Sequence, residues 1–298
     1  MRDRMNRRIG TIGACMGLML GVATVALAAT PAFRADVTGR GPAMLLIPGL
    51  NSSGAVWSGV VDRFKDRYTC HALTLAGFAG QPPLATPSLA AIRDAILTYI
   101  DDHRLERPIV VGHSLGAFLA FWVASTAPEK VGTVIAIDGV PFLPALMNPS
   151  VTVDSIKVQA ESTRKAMENA SAELRGRQSA LSLASMISDP AQVRIAESWA
   201  AASDPRTTAQ SMMELMTTDL RSQVSQIKTP VLLVAAGALS NPAALPALEQ
   251  AYERQIAGIA RHKTVVAVKA RHFIMLDDLA FLTATIEEFL PPLSLRER

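Results

Sequence analysis

The stretch that decides the fold is IVVGHSLGAF, which covers residues 109–118. An apolar run stops at Gly112, Ser114 stands two residues later, and Gly116 follows that serine by two. A strand that ends in Gly-x-Ser-x-Gly and leads into a helix is the pattern of a nucleophile elbow, which exposes a serine hydroxyl at the carboxyl end of a sheet. The glycines let strand and helix approach closely, and the N–H of Leu115 points to where an oxyanion would form.

Outward from this stretch, short apolar runs alternate with helical patterns. The apolar runs predict six strands, over residues 43–50, 68–75, 108–112, 131–138, 230–237 and 263–270. The helical patterns predict helices over residues 56–65, 88–105, 115–127, 242–258 and 277–290. Strands that are apolar throughout are typical of parallel sheets that are covered on both faces. The predicted fold is therefore α/β, with a doubly wound and mostly parallel sheet.

Between residues 139 and 228 the strand pattern is absent and the sequence is rich in Ala, Ser, Glu and Met. The segment is too long for a simple connection between two strands. We interpret it as a helical cap inserted between strands. The predicted organisation is an export signal over residues 1–28, the first part of the core over 29–138, the cap over 139–228 and the second part of the core over 229–298.

The first residues are typical of a secretory signal peptide. MRDRMNRR is followed by an apolar run from Ile9 to Leu27, which ends in the A-x-A pattern of Ala26-Leu27-Ala28. Removing this segment's four arginines and one aspartate from the 29 basic and 26 acidic residues leaves 25 of each. We therefore expect an exported protein, periplasmic or secreted, with no nucleic-acid partner and no stable membrane insertion after cleavage. The alternative is an uncleaved anchor, because about nineteen apolar residues can just span a bilayer.

The cysteines and motifs indicate neither a disulfide nor a cofactor. Cys15 lies inside the export segment, so the mature chain keeps Cys70 alone, within the apolar run YTCHALTL. A buried, inert thiol is the simplest interpretation. The sequence contains no CxxC pair, no His/Cys cluster with metal spacing and no P-loop. We predict no cofactor and no metal, and no pattern indicates an oligomeric state.

A serine hydroxyl needs a neighbouring base, and the chain has five histidines. His272, in KARHFIMLDD, follows the last predicted strand and precedes the last helix, which places it at the same sheet edge as Ser114. The others fit less well: His71 is within a strand, His103 lies at a charged helix end, His113 is expected to point away from the nucleophile's face, and His262 precedes a strand. His272 is the predicted base.

The acid is predicted from the end of another strand. The run PVLLVAAG continues into ALSNPAAL, which contains no Asp or Glu, whereas the strand after the elbow helix ends IAIDG and carries Asp138. Asp138 could orient His272 as the acid of a triad does. Asp219 in MTTDLR is the second candidate, and a purely structural role for Asp138 stays open. The second oxyanion donor is predicted to be the N–H of Leu50, in the loop IPGLNSS.

With Ser114 in GHSLG, His272 in ARHF and the PGL of residues 48–50, the chain resembles α/β-hydrolase fold proteins over roughly residues 43–290. The resemblance implies an eight-stranded sheet and the chain order Ser, acid, His, which Ser114, Asp138 and His272 preserve. This chain departs from the commoner pattern of the family in the position of the acid. Some branches, including haloalkane dehalogenases, have their acid there, but they use an aspartate nucleophile, so Ser114 argues against that activity.

The predicted function is a serine hydrolase that acts on a small-molecule substrate. We expect a carboxylic ester hydrolase for a small or medium apolar substrate, working through an acyl-enzyme. Two alternatives stay open at this point. One is an amidase or carbon–carbon bond hydrolase with the same residues. The other is a non-catalytic ligand-binding protein, which the absence of an acid after residues 230–237 would favour.

Overall fold

The computed structural model describes residues 30–292. The export signal predicted over residues 1–28 lies outside the described residues and stays a prediction. Within the described range, no helix combines the length and the apolar character needed to cross a membrane.

The described chain forms a seven-stranded sheet. Its strands are β1 (Phe33–Gly39), β2 (Ala43–Ile47), β3 (Thr69–Leu75), β4 (Ile109–His113), β5 (Thr133–Ile137), β6 (Val231–Ala236) and β7 (His262–Ala267). They lie in the order β1-β3-β2-β4-β5-β6-β7. All neighbours are parallel except β1, which runs antiparallel to β3. The predicted α/β fold with a mostly parallel, doubly wound sheet is confirmed.

All six predicted strands are present, as β2 to β7, and β1 is the strand that the apolar runs did not indicate. Its sequence FRADVTG alternates apolar with polar residues, and only Phe33 and Ala35 are partly buried. A half-exposed antiparallel edge strand has this pattern, in contrast to the continuous apolar runs of the parallel strands. The signal for β1 was therefore its period of two residues.

Ten helices accompany the sheet in the described range. They are α1 (Ser58–Phe64), α2 (Leu89–Asp102), α3 (Leu115–Thr126), α4 (Val153–Asn169), α5 (Ala172–Met186), α6 (Pro190–Ala201), α7 (Pro205–Thr217), α8 (Leu245–Ile256), α9 (Ile274–Asp277) and α10 (Leu279–Phe289). The last predicted helix is interrupted at Asp278, which leaves helical geometry at φ −146° and ψ 66°. The Asp278 carboxylate caps α10 by accepting a hydrogen bond of 3.1 Å from the N–H of Phe281.

The core lies on both faces of the sheet. Along β2, Leu45 and Ile47 pack with residues of α2, α3 and α8, whereas Met44 and Leu46 pack on the other face with residues of α1 and α10. Every residue of β2 is buried. Successive side chains of a strand point to opposite faces, so an apolar run is needed to fill both layers.

Helices α4 to α7, which we call the inserted helices, lie between β5 and β6 in the chain. They are bonded to the loops that follow β2 and β3. Thr208 donates its hydroxyl to the side-chain oxygen of Asn51 at 2.6 Å, and the N–H of Asp204 donates to the Gly77 carbonyl at 2.7 Å. The inserted helices therefore border the carboxyl edge of the sheet, where ligands bind in open α/β folds.

Candidate active site

Ser114 occupies a sharp turn between β4 and α3. Its backbone has φ 54° and ψ −115°, and its N–H donates to the Ile137 carbonyl at 2.8 Å. The turn leaves no room beside it: a Cβ atom on Gly112 would lie 2.1 Å from the Gly116 carbonyl oxygen, and one on Gly116 would lie 2.1 Å from the Ile47 carbonyl oxygen. A serine held at positive φ by its surroundings is the local strain that functional turns store.

Asp138 and His272 meet at this edge of the sheet, although 134 residues separate them. Asp138 follows β5 and adopts φ 45°, and its Oδ2 lies 2.6 Å from Nδ1 of His272. The segment that carries Asp138 lies against the elbow, since a Cβ atom on Gly139 would be 2.4 Å from the Ser114 carbonyl oxygen. The structure therefore brings together the three residues that the sequence proposes as nucleophile, acid and base.

The other carboxylate oxygen of Asp138 is also satisfied. Oδ1 accepts hydrogen bonds from the Ala236 N–H at 2.8 Å and from the Tyr252 hydroxyl at 2.7 Å. Burial by itself would raise the pKa of the Asp138 carboxyl, but the hydrogen bonds from His272, Ala236 and Tyr252 outweigh it and hold this pKa below its usual value. Burial and the Asp138 charge raise the pKa of Tyr252, so its hydroxyl stays a donor. Asp138 is thus an ionised acceptor at neutral pH.

His272 lies in the loop between β7 and α9, and its side chain is 24% exposed. Since Nδ1 bonds to Asp138, Nε2 is the ring nitrogen left to exchange a proton with a substrate or nucleophile. Among the described residues, Ser114 Oγ has no hydrogen-bond partner. Contacts between a nucleophile and its base are often long without a substrate and shorten in the complex.

His113, to which the sequence alone assigns no role, supports the loop of His272. It is fully buried, and its Nε2 donates to the His272 backbone carbonyl at 3.0 Å. Its ring lies 4.6 Å from the rings of both His272 and Phe273. Burial, reinforced by His272, lowers the pKa of His113 to about 3, so the ring is neutral at physiological pH. In the described part of the chain its Nδ1 has no hydrogen-bond partner.

The two predicted oxyanion donors lie beside Ser114. Leu115 is the first residue of α3, where a backbone N–H has no acceptor within the helix. Leu50 belongs to the loop after β2, and this loop touches the elbow, because a Cβ atom on Gly49 would lie 3.3 Å from Ser114 Cβ. Both residues thus lie at the sheet edge that carries Ser114, and their role as N–H donors stays a prediction.

The alternative candidates are engaged elsewhere. Asp219 pairs with Arg221 at 2.6 Å, whereas the side-chain partner of His272 is Asp138. His71 bonds through Nδ1 to the Tyr99 hydroxyl at 2.9 Å, His262 pairs with Glu253, and His103 is exposed at the end of α2.

The described residues also bear on metal binding and on the free thiol of Cys70. Over residues 30–292, no group of three or more His, Cys, Asp or Glu side chains is placed to hold a metal ion. Cys70 is free and buried, and burial raises the pKa of its thiol to about 11, which makes the thiolate scarce.

The comparison with known proteins identifies the class. A model of the family described as "Alpha/beta hydrolase family" matches residues 44–284, and the chain therefore belongs to this family. Among solved structures, a hydrolase from Pseudomonas aeruginosa superposes with a TM-score of 0.71 at 19% identity, covering 86% of this chain and 93% of that one. At this identity, the likeness concerns the fold.

Curated relatives within the family include esterases. The chain is 36% identical over 107 residues to the pimeloyl-[acyl-carrier protein] methyl ester esterase of Methylococcus capsulatus, which is 36% of this chain and 40% of that protein. It is 27% identical over 207 residues to the enzyme of the same name from Nitrosomonas europaea, covering 67% of this chain and 78% of that protein. The chain thus matches only about two fifths of the first of these relatives.

Proposed function

We propose that the protein is a serine hydrolase, specifically a carboxylic ester hydrolase that acts on a small or medium apolar substrate through an acyl-enzyme. The observation that carries this proposal is the 2.6 Å hydrogen bond between His272 Nδ1 and Asp138 Oδ2 next to the strained turn of Ser114. A histidine oriented by a buried carboxylate at the same sheet edge as a partly buried serine is the arrangement that activates a hydroxyl for acyl transfer.

In the first half of the proposed reaction, Ser114 Oγ attacks the carbonyl carbon of the ester and transfers its proton to His272 Nε2. The N–H groups of Leu50 and Leu115 stabilise the negative charge on the carbonyl oxygen. When the tetrahedral intermediate collapses, the alcohol leaves with the proton from Nε2, and the acyl group stays on Ser114. Asp138 remains ionised throughout and stabilises the imidazolium through Nδ1–H.

In the second half, a water molecule transfers a proton to His272 Nε2 and attacks the acyl carbon. Collapse of this intermediate returns the proton to Ser114 Oγ and releases the carboxylic acid. Each step uses the same base and the same pair of N–H donors, so no further protein group is needed.

The position of Asp138 bears on the ligand-binding alternative. The feature that favours a non-catalytic ligand-binding protein is the absence of an acid in the loop after β6. However, the N–H of Ala236 at the end of β6 bonds to Asp138 at 2.8 Å, so the carboxylate from β5 sits beside that strand end and reaches His272. This supports a complete triad over a vestigial one.

Two observations support an apolar ester. Side chains of the loops that follow β2 and β5, including Leu50, Leu143 and Leu146, are apolar and only partly buried at the carboxyl edge. The curated relatives named above are methyl ester esterases by name, which favours ester over amide hydrolysis. A series of esters with graded acyl chains, assayed beside the matching anilides, separates the two bond types.

Covalent labelling with a fluorophosphonate tests the proposal directly. We expect the parent protein to label and Ser114→Ala not to, with ester hydrolysis in the variant reduced by about 10³- to 10⁶-fold. Ser125→Ala is the matched control, because Ser125 lies in α3 and its hydroxyl donates to the Trp122 carbonyl. Unchanged hydrolysis in Ser114→Ala, or a folded parent that neither labels nor hydrolyses any ester of the series, would overturn the proposal.

A further inference from the structure

The two neighbours of His272 are both hydrogen-bonded to the end of the inserted helix α5. The N–H of Phe273 donates to the Met186 carbonyl at 3.2 Å. The Arg271 guanidinium donates to the Ala184 carbonyl at 2.8 Å and to the Ile187 carbonyl at 3.2 Å. The loop with the proposed base is therefore attached on both sides of the histidine to residues 184–187.

Asp277 in α9 completes this connection. Its Oδ1 accepts from the Ser188 N–H at 2.8 Å, and its Oδ2 accepts from the Ser188 hydroxyl and from the Arg271 N–H, each at 2.9 Å. Both oxygens thus face donors only, which an ionised carboxylate satisfies and an amide cannot. One side chain links the residue before His272 to the segment after α5.

These hydrogen bonds connect α5 to the sheet edge beside the packing of Leu183 and Met186 on the core. Helix α5 has no buried residue along its length, and the first residue after it, Ile187, is 1% exposed and packs in the core. The only side-chain hydrogen bond of His272 within the described residues is the one to Asp138. The backbone of the histidine is consequently held by His113 on one side and by the α5 attachment on the other.

We infer that Asp277 and Arg271 are positioning residues, which fix His272 relative to Ser114 by tying its loop to the end of α5. This inference rests on the proposed function, in which His272 is the base. Any displacement of α5 would thus reach the base through the hydrogen bonds of residues 184–188.

Asp277→Asn is the decisive variant, because its amide nitrogen must face a donor whichever way the group is turned. We expect kcat and the rate constant of fluorophosphonate labelling to fall about 10- to 100-fold, as misplacement of a catalytic group by about 1 Å does, with KM little changed. The final labelled fraction should equal that of the parent protein, because the molecules remain folded. A purely structural role would instead reduce the labelled fraction.

The adjacent residue provides the matched control. Asp278→Ala removes the N-cap of α10, which lowers stability without touching the loop of His272, so it should label at the parent rate. If Asp277→Asn does not fold, Arg271→Gln takes its place, because it removes the two guanidinium contacts and keeps the backbone N–H that bonds to Asp277. A smaller fall in the same rate constant is expected.

Labelling of Asp277→Asn, or of Arg271→Gln in its place, at the rate of Asp278→Ala would overturn the inference while leaving the proposed function intact. Failure of the parent protein to label is a different result, which would count against the proposed function itself.

Discussion

The elbow region around β4, β5 and α3 differs from the inserted helices in how it is held. Every residue of β5 is buried, and so are ten residues of α3. In α4 the single buried residue is Ala160, and α5 has none. Burial of one large apolar side chain contributes about 1.5–3 kcal/mol, whereas a hydrogen bond contributes about 1 kcal/mol net. The elbow is therefore fixed by packing, whereas α4 and α5 bury little of their surface; among the inserted helices, α7 is the one that buries several residues.

Because of this difference, the geometry of the three site residues is fixed, whereas parts of the inserted helices are free to move. Ser114, Asp138 and His272 all lie in turns and loops that follow strands of the packed region, by which we mean the sheet and the helices packed on it, so their mutual geometry is tied to its stability. Elements with few buried apolar contacts open at lower free energy. Helices α4 and α5 can thus change the space at the sheet edge while the strands stay in place, and the attachment of α5 to the loop of His272 is one place where the two regions meet.

The largest expected effect distinguishes the two candidate acids, which are Asp138 in the packed region and Asp219 in the segment over residues 139–228. Asp138→Asn should reduce kcat about 10⁴-fold, because an amide favours the wrong tautomer of the histidine. Asp219→Asn, the matched change at the other sequence candidate, should leave kcat near that of the parent, since Asp219 pairs with Arg221.

Steady-state hydrolysis of one ester by both variants, at equal folded concentration measured by circular dichroism, decides the assignment. The opposite ranking of the two variants would move the acid into the inserted segment and break the comparison.

The second effect concerns two helical glycines, one in each region. Gly116→Ala in α3 should cost about 3 kcal/mol, because the new Cβ would lie 2.1 Å from the Ile47 carbonyl oxygen and the backbone must shift. Gly176→Ala in α5 meets no atom within 4 Å and should increase stability by about 0.5–1 kcal/mol through the better helix propensity of alanine.

Urea unfolding of both variants gives the two free energies. Opposite signs of the two changes in the free energy of unfolding would support the contrast between the tightly packed elbow and the loosely packed α5. It is wrong if Gly116→Ala is neutral, because the packing at the elbow would then be loose.

The strands of the packed region could be predicted closely from the sequence, because each strand is marked by its own apolar run and the same pattern recurs along the chain. Continuous apolar runs identify parallel strands, and the carboxyl ends of such strands meet at one edge, which suffices to place Ser114, Asp138 and His272 near one another. The strand β1 was not predicted, because its apolar and polar residues alternate as in a half-exposed edge strand and form no continuous apolar run.

The residues that support the site could not be predicted in the same way. Tyr252 lies in α8 and Asp277 in α9, and neither helical pattern indicates which side chain reaches Asp138 or the loop of His272. Such contacts depend on how helices are set against the sheet, which is a tertiary property. For the same reason, the sequence predicts a helix-rich segment over residues 139–228 but not its attachment at residues 184–188.

The smallest expected effect is on how the free energy of unfolding depends on pH. All five histidines lie outside residues 139–228, so their titration reports on the packed region and not on the inserted helices. The pKa of His113 is about 3 in the folded protein, and an unfolded histidine titrates near 6.5. Between these values the unfolded chain binds one more proton, so the free energy of unfolding falls as pH falls below 6.5, by about 1.4 kcal/mol per pH unit. Burial also lowers the pKa of His71, which acts in the same direction.

His262 acts in the opposite direction. Burial lowers its pKa, but the hydrogen bonds to Ile259 and Glu253 outweigh that and raise it, so its contribution is present at low pH and lost as pH rises. His113→Gln isolates the buried histidine, since its amide can still donate to the His272 carbonyl. Urea unfolding at pH 4, 5 and 6 should show a slope reduced by about 1.3 kcal/mol per pH unit in this variant, and the difference between variant and parent should not change between pH 8 and 9. An equal acid slope in both proteins would mean that acid acts elsewhere than through the packed region around the elbow.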